Sequence, residues 1–381
     1  MSWLITIPCP LWWSSLTSTI LDLEKLRSKV LFWDLPPHIF FQLKEIFQIL
    51  ETLWSARIEW NNTTLSEYVE QVLEKDHKSE SQAEINNLEE AIQFIEKNTN
   101  VDTLIDRAYL SSLHQIVTRW LIKEGSRNPW SLRIENVTIG GSTHIPPDFL
   151  LVPELFEEFV KFINYNHQPQ NQLLMIAIAH HRFAYIHPFD NGNGRMGRLL
   201  IYVLLIKHWF KVKNWRIINP SAVFYSNRKQ YYDMLAIADS LKDEDVLSRS
   251  EYFLSWLKNE IEKVDSLLHN NYVIESILIP SLHYAREKEY ITELEEKILR
   301  FIISKQNMEI KSQELDKFNI TGSDRKSRIV KNLRDKNMLI STKQWWRIYT
   351  IQFTNNYLLR SIIYTLTGLW YISEFLEKNN M

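Results

Sequence analysis

Cysteine is almost missing from this chain: Cys9 stands alone among 381 residues. An internal disulfide is thereby excluded, and the composition fits a reducing, cytoplasmic setting. Glycine is scarce too, eight in all. The apolar, Trp-rich start carries no Lys or Arg before Lys25, and Pro8 and Pro10 interrupt it. It therefore lacks the basic leader of a signal peptide and is expected to pack on a helical domain. No apolar run is long and uninterrupted enough to suggest a membrane span. The tail stripe Leu359, Ile362, Ile363, Leu366, Leu369 and Trp370 is broken by Arg360 and Glu374, which favours packing or homo-oligomer formation. A formal charge of −2 gives no global attraction to nucleic acid or membrane. Repeats, zinc-ligand spacings and low-complexity tracts are all absent.

Against that background the glycines cluster. Gly192, Gly194 and Gly197 fall in His187-Pro188-Phe189-Asp190-Asn191-Gly192-Asn193-Gly194-Arg195-Met196-Gly197-Arg198, and Gly140-Gly141 mark a second place. Where glycine is rare, clustering signals positive φ or close backbone approach. Leu173–Ile186 upstream is apolar enough for a buried helix, and Pro188 resets the chain after His187. A helical pattern resumes over Arg195–His208. Gly192, Asn193 and Gly194 then expose backbone amides at a helix N-terminus, an anion site. Arg195 and Arg198, three apart on the first turn, add bidentate donors for phosphate oxygens. His187 enters from the other side of the loop as a general base, and Phe189 is expected to point inward.

This segment resembles the signature of the Fic family, His-x-Phe-x-(Asp/Glu)-Gly-Asn-Gly-Arg-x-x-Arg. The resemblance implies a protein adenylyltransferase that moves AMP from ATP to a Ser, Thr or Tyr hydroxyl of a target protein or of itself. It implies His187 as base, Gly192, Asn193 and Gly194 as anion hole, and Arg195 and Arg198 as phosphate ligands. One position departs: Asn191 stands where the family has a Mg²⁺-binding carboxylate. A neutral amide oxygen holds a hard cation less strongly, so weak Mg²⁺ binding through Asn191 is expected.

Three further segments fit the same resemblance. Pro36–Glu59 has a 3.6-residue apolar period and ends in Ser55-Ala56-Arg57-Ile58-Glu59-Trp60-Asn61, similar to the family's inhibitory motif (Ser/Thr)-x-x-x-Glu-(Gly/Asn). It implies autoinhibition by Ser55 and Glu59, with Glu59 on Arg195 in place of the ATP γ-phosphate. Trp60 departs from the small residue expected. Asn136–Ser142 (NVTIGGS) reads as a short hairpin, the family's target-aligning flap, with Thr138, Ile139 and Gly140 at its edge. Tyr225–Leu235 resembles the adenine-side helix, and places Tyr231 and Tyr232 either beside the base or in helix packing.

The expected fold class is mainly α: a Fic-type helical core with a short β-hairpin flap, followed by a winged helix-turn-helix-like α+β domain. The expected divisions are an N-terminal helical region 1–100 with the inhibitory helix, the Fic core 101–265, a winged-helix-like domain 270–353, and a C-terminal helix 354–381. Glu74–Glu84 is polar and reads as a loop before a helix over Ile85–Lys97. In the C-terminal third, helices over Ile291–Lys305 and Lys311–Phe318 precede the basic Ser323–Asn337, with Ser323 as N-cap. Strands over Met338–Ile340 and Arg347–Phe353 follow. Between Ser304 and Arg347 eleven Lys/Arg stand against five Asp/Glu. That excess, with Arg325, Lys326, Arg328 and Lys331 early in the recognition-like helix, suits DNA phosphates, and a protein docking or dimer module stays open beside it. Two readings stay open beside transfer: a de-AMPylase in which Glu59 positions water, and a nucleotide-sensing DNA-binding regulator. No membrane partner is expected.

Overall fold

A computed structural model of the chain describes residues 5–28, 35–58, 80–123, 125–140, 142–208, 227–267, 269–341, 348–355 and 357–369. Glu59, Trp60, Asn61, Gly141, Tyr225, the 342–347 connection and Trp370 lie outside them. The described residues are mostly helical, with one small antiparallel sheet. They group into two compact units: the described residues within 5–28, 48–58 and 80–262 form the first, and those within 35–47 and 263–369 the second.

The first unit holds α1 (Ser15–Ser28), the second half of α2 (Pro37–Ile58), α3 (Glu80–Asn98), α4 (Arg107–Thr118), α5 (Val152–Asn164), α6 (Pro169–Ile186), α7 (Asn193–Lys207), α8 (Arg228–Ala238) and most of α9 (Asp243–Ser266). Pro169 opens α6, where its missing N–H costs nothing. The chain through α6 and α7 is buried almost all round, as its sequence implies. Around these two helices pack α4, α5 and α3, with Leu110, Leu113, Phe156, Phe159, Ile85 and Leu88 in the core. The N-terminal segment does bind this helical unit: the Ile5 N–H donates to Glu158 Oε1 at 2.7 Å, and Asp22 pairs with Lys258 at 2.7 Å.

Two local expectations are corrected here. The polar run was expected to stay a loop through Glu84, yet α3 already begins at Glu80. Glu84 is polar because a buried arginine faces it, not because it is solvated. The expected hairpin over residues 136–142 shows its turn, Ser142 N–H to Ile139 C=O at 3.2 Å, but residues 136–140 carry no strand. Asn136 instead ties the segment to its return limb. Its Oδ1 accepts from the Phe149 N–H at 2.9 Å, and its Nδ2 donates to Asp148 at 3.2 Å.

In the second unit the first half of α2 lies with the C-terminal elements: Gln42 bonds both the Ile351 carbonyl (3.0 Å) and the Phe353 N–H (2.6 Å). A continuous helical stretch runs through Asn270–Tyr272, Val273–Leu278 (a π turn) and α10 (Ile279–Glu287). Then come α11 (Glu293–Ile303), β1 (Glu309–Lys311), a 3₁₀ turn over Ser312–Phe318, α12 (Ser323–Asp335), β2 (Leu339–Ser341), β3 (Ile348–Ile351) and α13 (Leu358–Gly368). Thr292 and Glu295 close a capping box on α11. The sheet order is β1-β3-β2, all antiparallel, with Ile310 opposite Tyr349 and Leu339 opposite Ile351. Ser323 is not the N-cap of α12. Gly322, at φ 90°, takes that place because it turns the chain into the helix at no steric cost, and Ser323 becomes the first helical residue.

Among the described residues, no helix is long and apolar enough to cross a membrane.

Candidate active site

The glycine-rich segment joins α6 to α7. His187 ends α6 in the left-handed conformation (φ 49°), its N–H still donating to the Phe183 carbonyl at 3.1 Å. A histidine at positive φ is uncommon, and the surroundings hold it there. Its carbonyl accepts from Arg133 Nε at 2.8 Å, and the Pro188 carbonyl accepts from the Arg133 N–H at 2.9 Å. The imidazole turns Nδ1 toward the Ala184 carbonyl at 3.4 Å. With the proton on Nδ1, Nε2 carries the lone pair, the form a general base requires.

The loop is fixed from inside. Phe189 is fully buried, stacked on His114 at 3.8 Å and 6°. His114 Nδ1 lies 2.5 Å from the Pro129 carbonyl and Nε2 2.9 Å from the Asn191 carbonyl, so one ring spans two backbone segments. Asn193 grips the Phe189 backbone twice: its Oδ1 accepts the N–H and its Nδ2 donates to the carbonyl, both at 2.9 Å. Gly192 caps α7 at φ 77°, and a Cβ there would stand 2.9 Å from Thr118 Cγ2. Glycine is needed on both counts. The side chain of Asn193 is thus spent on loop geometry, which leaves backbone amides at the start of α7 as the candidate anion donors.

Both arginines are buried, but they face different neighbours. Arg198 donates through Nε to Ser55 Oγ (3.1 Å) and through Nη2 to the Ser55 carbonyl (3.0 Å). Arg195, with no exposed side-chain surface, pairs with Glu84 at 3.1 Å. The expected partner of Arg195 was Glu59. Among the described residues a carboxylate of α3, Glu84, faces Arg195, and Ser55 reaches Arg198. Glu59 itself is outside the described residues.

Among the described residues no cluster of three or more His, Cys, Asp or Glu that could hold a metal ion is found, and the candidate ligands are already engaged by the loop. Asn191 Oδ1, the expected ligand, accepts the Gly192 N–H at 2.7 Å, and its Nδ2 donates to the Lys123 carbonyl at 3.2 Å. Asp190, the neighbouring carboxylate, accepts from Ser126 Oγ (2.5 Å) and the Arg127 N–H (2.9 Å). Both donor sets serve loop architecture.

Of the remaining candidates, Tyr231 is buried with its hydroxyl 3.3 Å from His180 Nε2, and Tyr232 beside it is exposed. Thr138 and Gly140 are exposed and Ile139 half-buried. Sequence reasoning missed four residues that shape this region: His114, Arg133, Glu84 and Asp239. None stands in a local motif. A buried-looking histidine or arginine in a loop-flanking helix was the faint signal available.

A sequence model of the Fic/DOC family matches residues 104–205. Protein adenylyltransferase Fic of Culex quinquefasciatus is 29% identical over 194 residues, covering 49% of this chain and 36% of that protein. The protein of the same name from Drosophila grimshawi is 33% identical over 113 residues, covering 28% and 20%. The chain thus spans about a fifth to a third of the length of these curated relatives. Among solved structures, a Fic family protein from Desulfovibrio desulfuricans G20 superposes with a TM-score of 0.55 at 19% identity, covering 91% of this chain and 98% of that one. A Fic domain containing signaling protein from Bacteroides thetaiotaomicron VPI-5482 gives 0.50 at 17%, covering 67% and 97%. These two likenesses speak to the fold. With the loop between α6 and α7 carrying the signature residues and the family match lying across it, residues 104–205 of this chain match the Fic/DOC family.

Proposed function

We propose that the chain is a protein adenylyltransferase using ATP. The observation that carries this reading is His187, locked at the end of α6 beside the amide-bearing start of α7 and two buried arginines. In the reaction, Nε2 of His187 takes the proton of a Ser, Thr or Tyr hydroxyl on a target protein or on the chain itself. The hydroxyl oxygen bonds to the α-phosphorus, the bond from that phosphorus to the bridging oxygen breaks, and pyrophosphate leaves. The loop amides and Arg198 hold the charge that builds on the phosphates. Tyr231 and Tyr232 are assigned to the adenine side, and Thr138, Ile139 and Gly140 to main-chain pairing with the target. Such an edge has open backbone groups until a strand arrives, which suits the unpaired conformation of residues 136–140. No step runs through a protein-held metal.

The reading includes autoinhibition. Ser55 already contacts Arg198, and Glu59 follows it by four residues in sequence. A carboxylate on this guanidinium competes with a phosphate for the same donors. Glu59→Gly should raise AMP transfer from α-labelled ATP by about one to two orders of magnitude, the equivalent of one charge-assisted hydrogen bond. Gel autoradiography measures this. A Glu59→Gly variant no faster than wild type removes the autoinhibitory part of the proposal. A variant that loses release of AMP from a pre-modified target supports the reverse, de-AMPylating direction instead.

A second reading concerns the C-terminal unit. The order helix, strand, short turn, helix and two strands supports a winged helix. Arg325, Arg328 and Lys331 lie exposed on α12, while Lys326 is paired with Asp316 at 2.7 Å. We infer duplex DNA as its ligand. Neutralising those three residues should lower the slope of log affinity against log salt by about 3, measured by fluorescence anisotropy. An unchanged slope counts against DNA.

A further inference from the structure

Away from the signature loop, side chains from three elements of the first unit meet on one carboxylate. Asp239, the residue after α8, accepts from His181 of α6 (Nε2 to Oδ1, 2.9 Å) and from His144 (Nδ1 to Oδ2, 3.1 Å). His144 Nε2 faces the Tyr185 carbonyl at 2.9 Å, and its ring lies against the Tyr185 ring at 4.9 Å. The His144 and His181 side chains are nearly covered, and Asp239 keeps only a partly open edge. All three hydrogen bonds end on acceptors, so His144 must donate from both ring nitrogens. A neutral imidazole has a single N–H, so this geometry, with the Asp239 carboxylate as one acceptor, favours the imidazolium. His181 needs only one donor here and stays neutral.

The positions of these residues matter. Tyr185 stands two residues before His187 on the same helix end. His144 stands two residues after Ser142, whose N–H closes the turn at Ile139. Arg133 already ties the ingoing limb to His187 and to the far end of the outgoing one, donating to the carbonyls of His187, Glu135 and Pro147. His144 is the matching anchor on the outgoing limb.

We propose that His144 and Asp239, braced by His181, are positioning residues that seat the outgoing limb of residues 136–147 on the catalytic end of α6 and so set where a target segment lies relative to His187. The functional half of this inference rests on the adenylyltransferase reading; the clamp itself does not.

The clamp has a pH signature. The charged and titratable groups around it are Arg182, Arg249, His180 and the Tyr185 phenol, besides the trio itself. Burial pushes His144 down, but Asp239 and the Tyr185 carbonyl outweigh it, and its pKa is raised. Burial pushes His181 down to about 4, against the pull of Asp239. Asp239 is raised by burial but lowered further by the two imidazoles, and its net shift is downward. A raised histidine contributes fully below its ordinary value near 6.5, and the contribution is lost as pH climbs through the raised folded value. The limb therefore loosens on the alkaline side.

Hydrogen–deuterium exchange of the full chain, corrected for intrinsic exchange rates, tests this at pH 6 and pH 9. In wild type, protection of peptides over 142–151 should fall by about tenfold or more between the two, the scale of one charge-assisted hydrogen bond. Asp239→Asn should show the low protection at both values, with the α7 peptides unchanged. Should Asp239→Asn lose protection throughout the Fic domain, the wild-type pH series alone decides. Equal protection of 142–151 in wild type at both pH values overturns the clamp, as does equal protection in wild type and a folded Asp239→Asn at pH 6. In the Glu59→Gly background, self-modification should decline at alkaline pH, and adding Asp239→Asn should flatten that limb of the profile. Absence of any AMP transfer would sink the adenylyltransferase reading and leave the exchange result to judge the clamp.

Discussion

Replacing His187 by asparagine in the Glu59→Gly background is expected to lower AMP transfer by about 10²–10⁴-fold, the usual contribution of a positioned general base. Asparagine is the informative choice. It tolerates the left-handed conformation that His187 adopts at the end of α6, so the loop keeps its geometry while the proton acceptor is lost. Alanine at φ 49° would add backbone strain to the chemical loss. The affinity for ATP, measured by isothermal calorimetry, should stay near that of the parent, since the amides at the start of α7 and Arg198 are untouched. A fall in ATP affinity as large as the fall in rate would instead make His187 a binding residue.

Phe189→Ala should produce the largest loss of stability of any single change near the site. The ring is fully buried, stacked face to face on His114 and edge-on to Phe156, with Phe183 at 6.2 Å. Removing it leaves a cavity that its neighbours on α4, α5 and α6 cannot fill without breaking their own packing. The cost is about 3–5 kcal/mol, a fall in Tm on the order of 10 °C for a unit of this size. The catalytic effect should exceed what unfolding explains, because Asn193 holds the Phe189 backbone at both N–H and carbonyl. A loop released at that point misplaces His187 on one side and the Gly192–Gly194 amides on the other. Differential scanning calorimetry read together with transfer rates at a temperature well below the new Tm separates the two contributions. A Tm within a degree or two of wild type would mean that Phe189 is not the anchor of the loop.

How far the sequence carried depends on how local each feature is. The residues proposed as base, anion-binding amides and phosphate ligands stood out because one twelve-residue segment holds them, and a strand-free, helix–loop–helix context follows from periodicity on either side. The helices α2, α6, α7 and α11 were legible for the same reason: their apolar period needs no knowledge of the partner. Residues whose meaning depends on a distant neighbour were not. His114 acquires its role from the Pro129 and Asn191 carbonyls, and Asn191 lies 77 positions further on. Asp239 meets His144 and His181, both far upstream. Glu84 read as part of a solvated loop because a carboxylate in a polar run normally is one; the buried Arg195 reverses that. Ser323 was assigned the cap on propensity, and glycine's freedom at Gly322 won. For Asn191 the loop's own need for an acceptor, the Gly192 N–H, could be seen only in three dimensions.

In the proposed reaction the bond broken in ATP is the one at the α-phosphorus, with the adenylyl group passing to a protein hydroxyl. Parallel incubations of Glu59→Gly with α-labelled and γ-labelled ATP, followed by intact-protein mass spectrometry, test it most directly. The account predicts protein-bound label from the α position alone, a mass increment of one AMP, and loss of both when His187 is also replaced by asparagine. Label from the γ position, or an unmodified protein with every common nucleoside triphosphate, would contradict it.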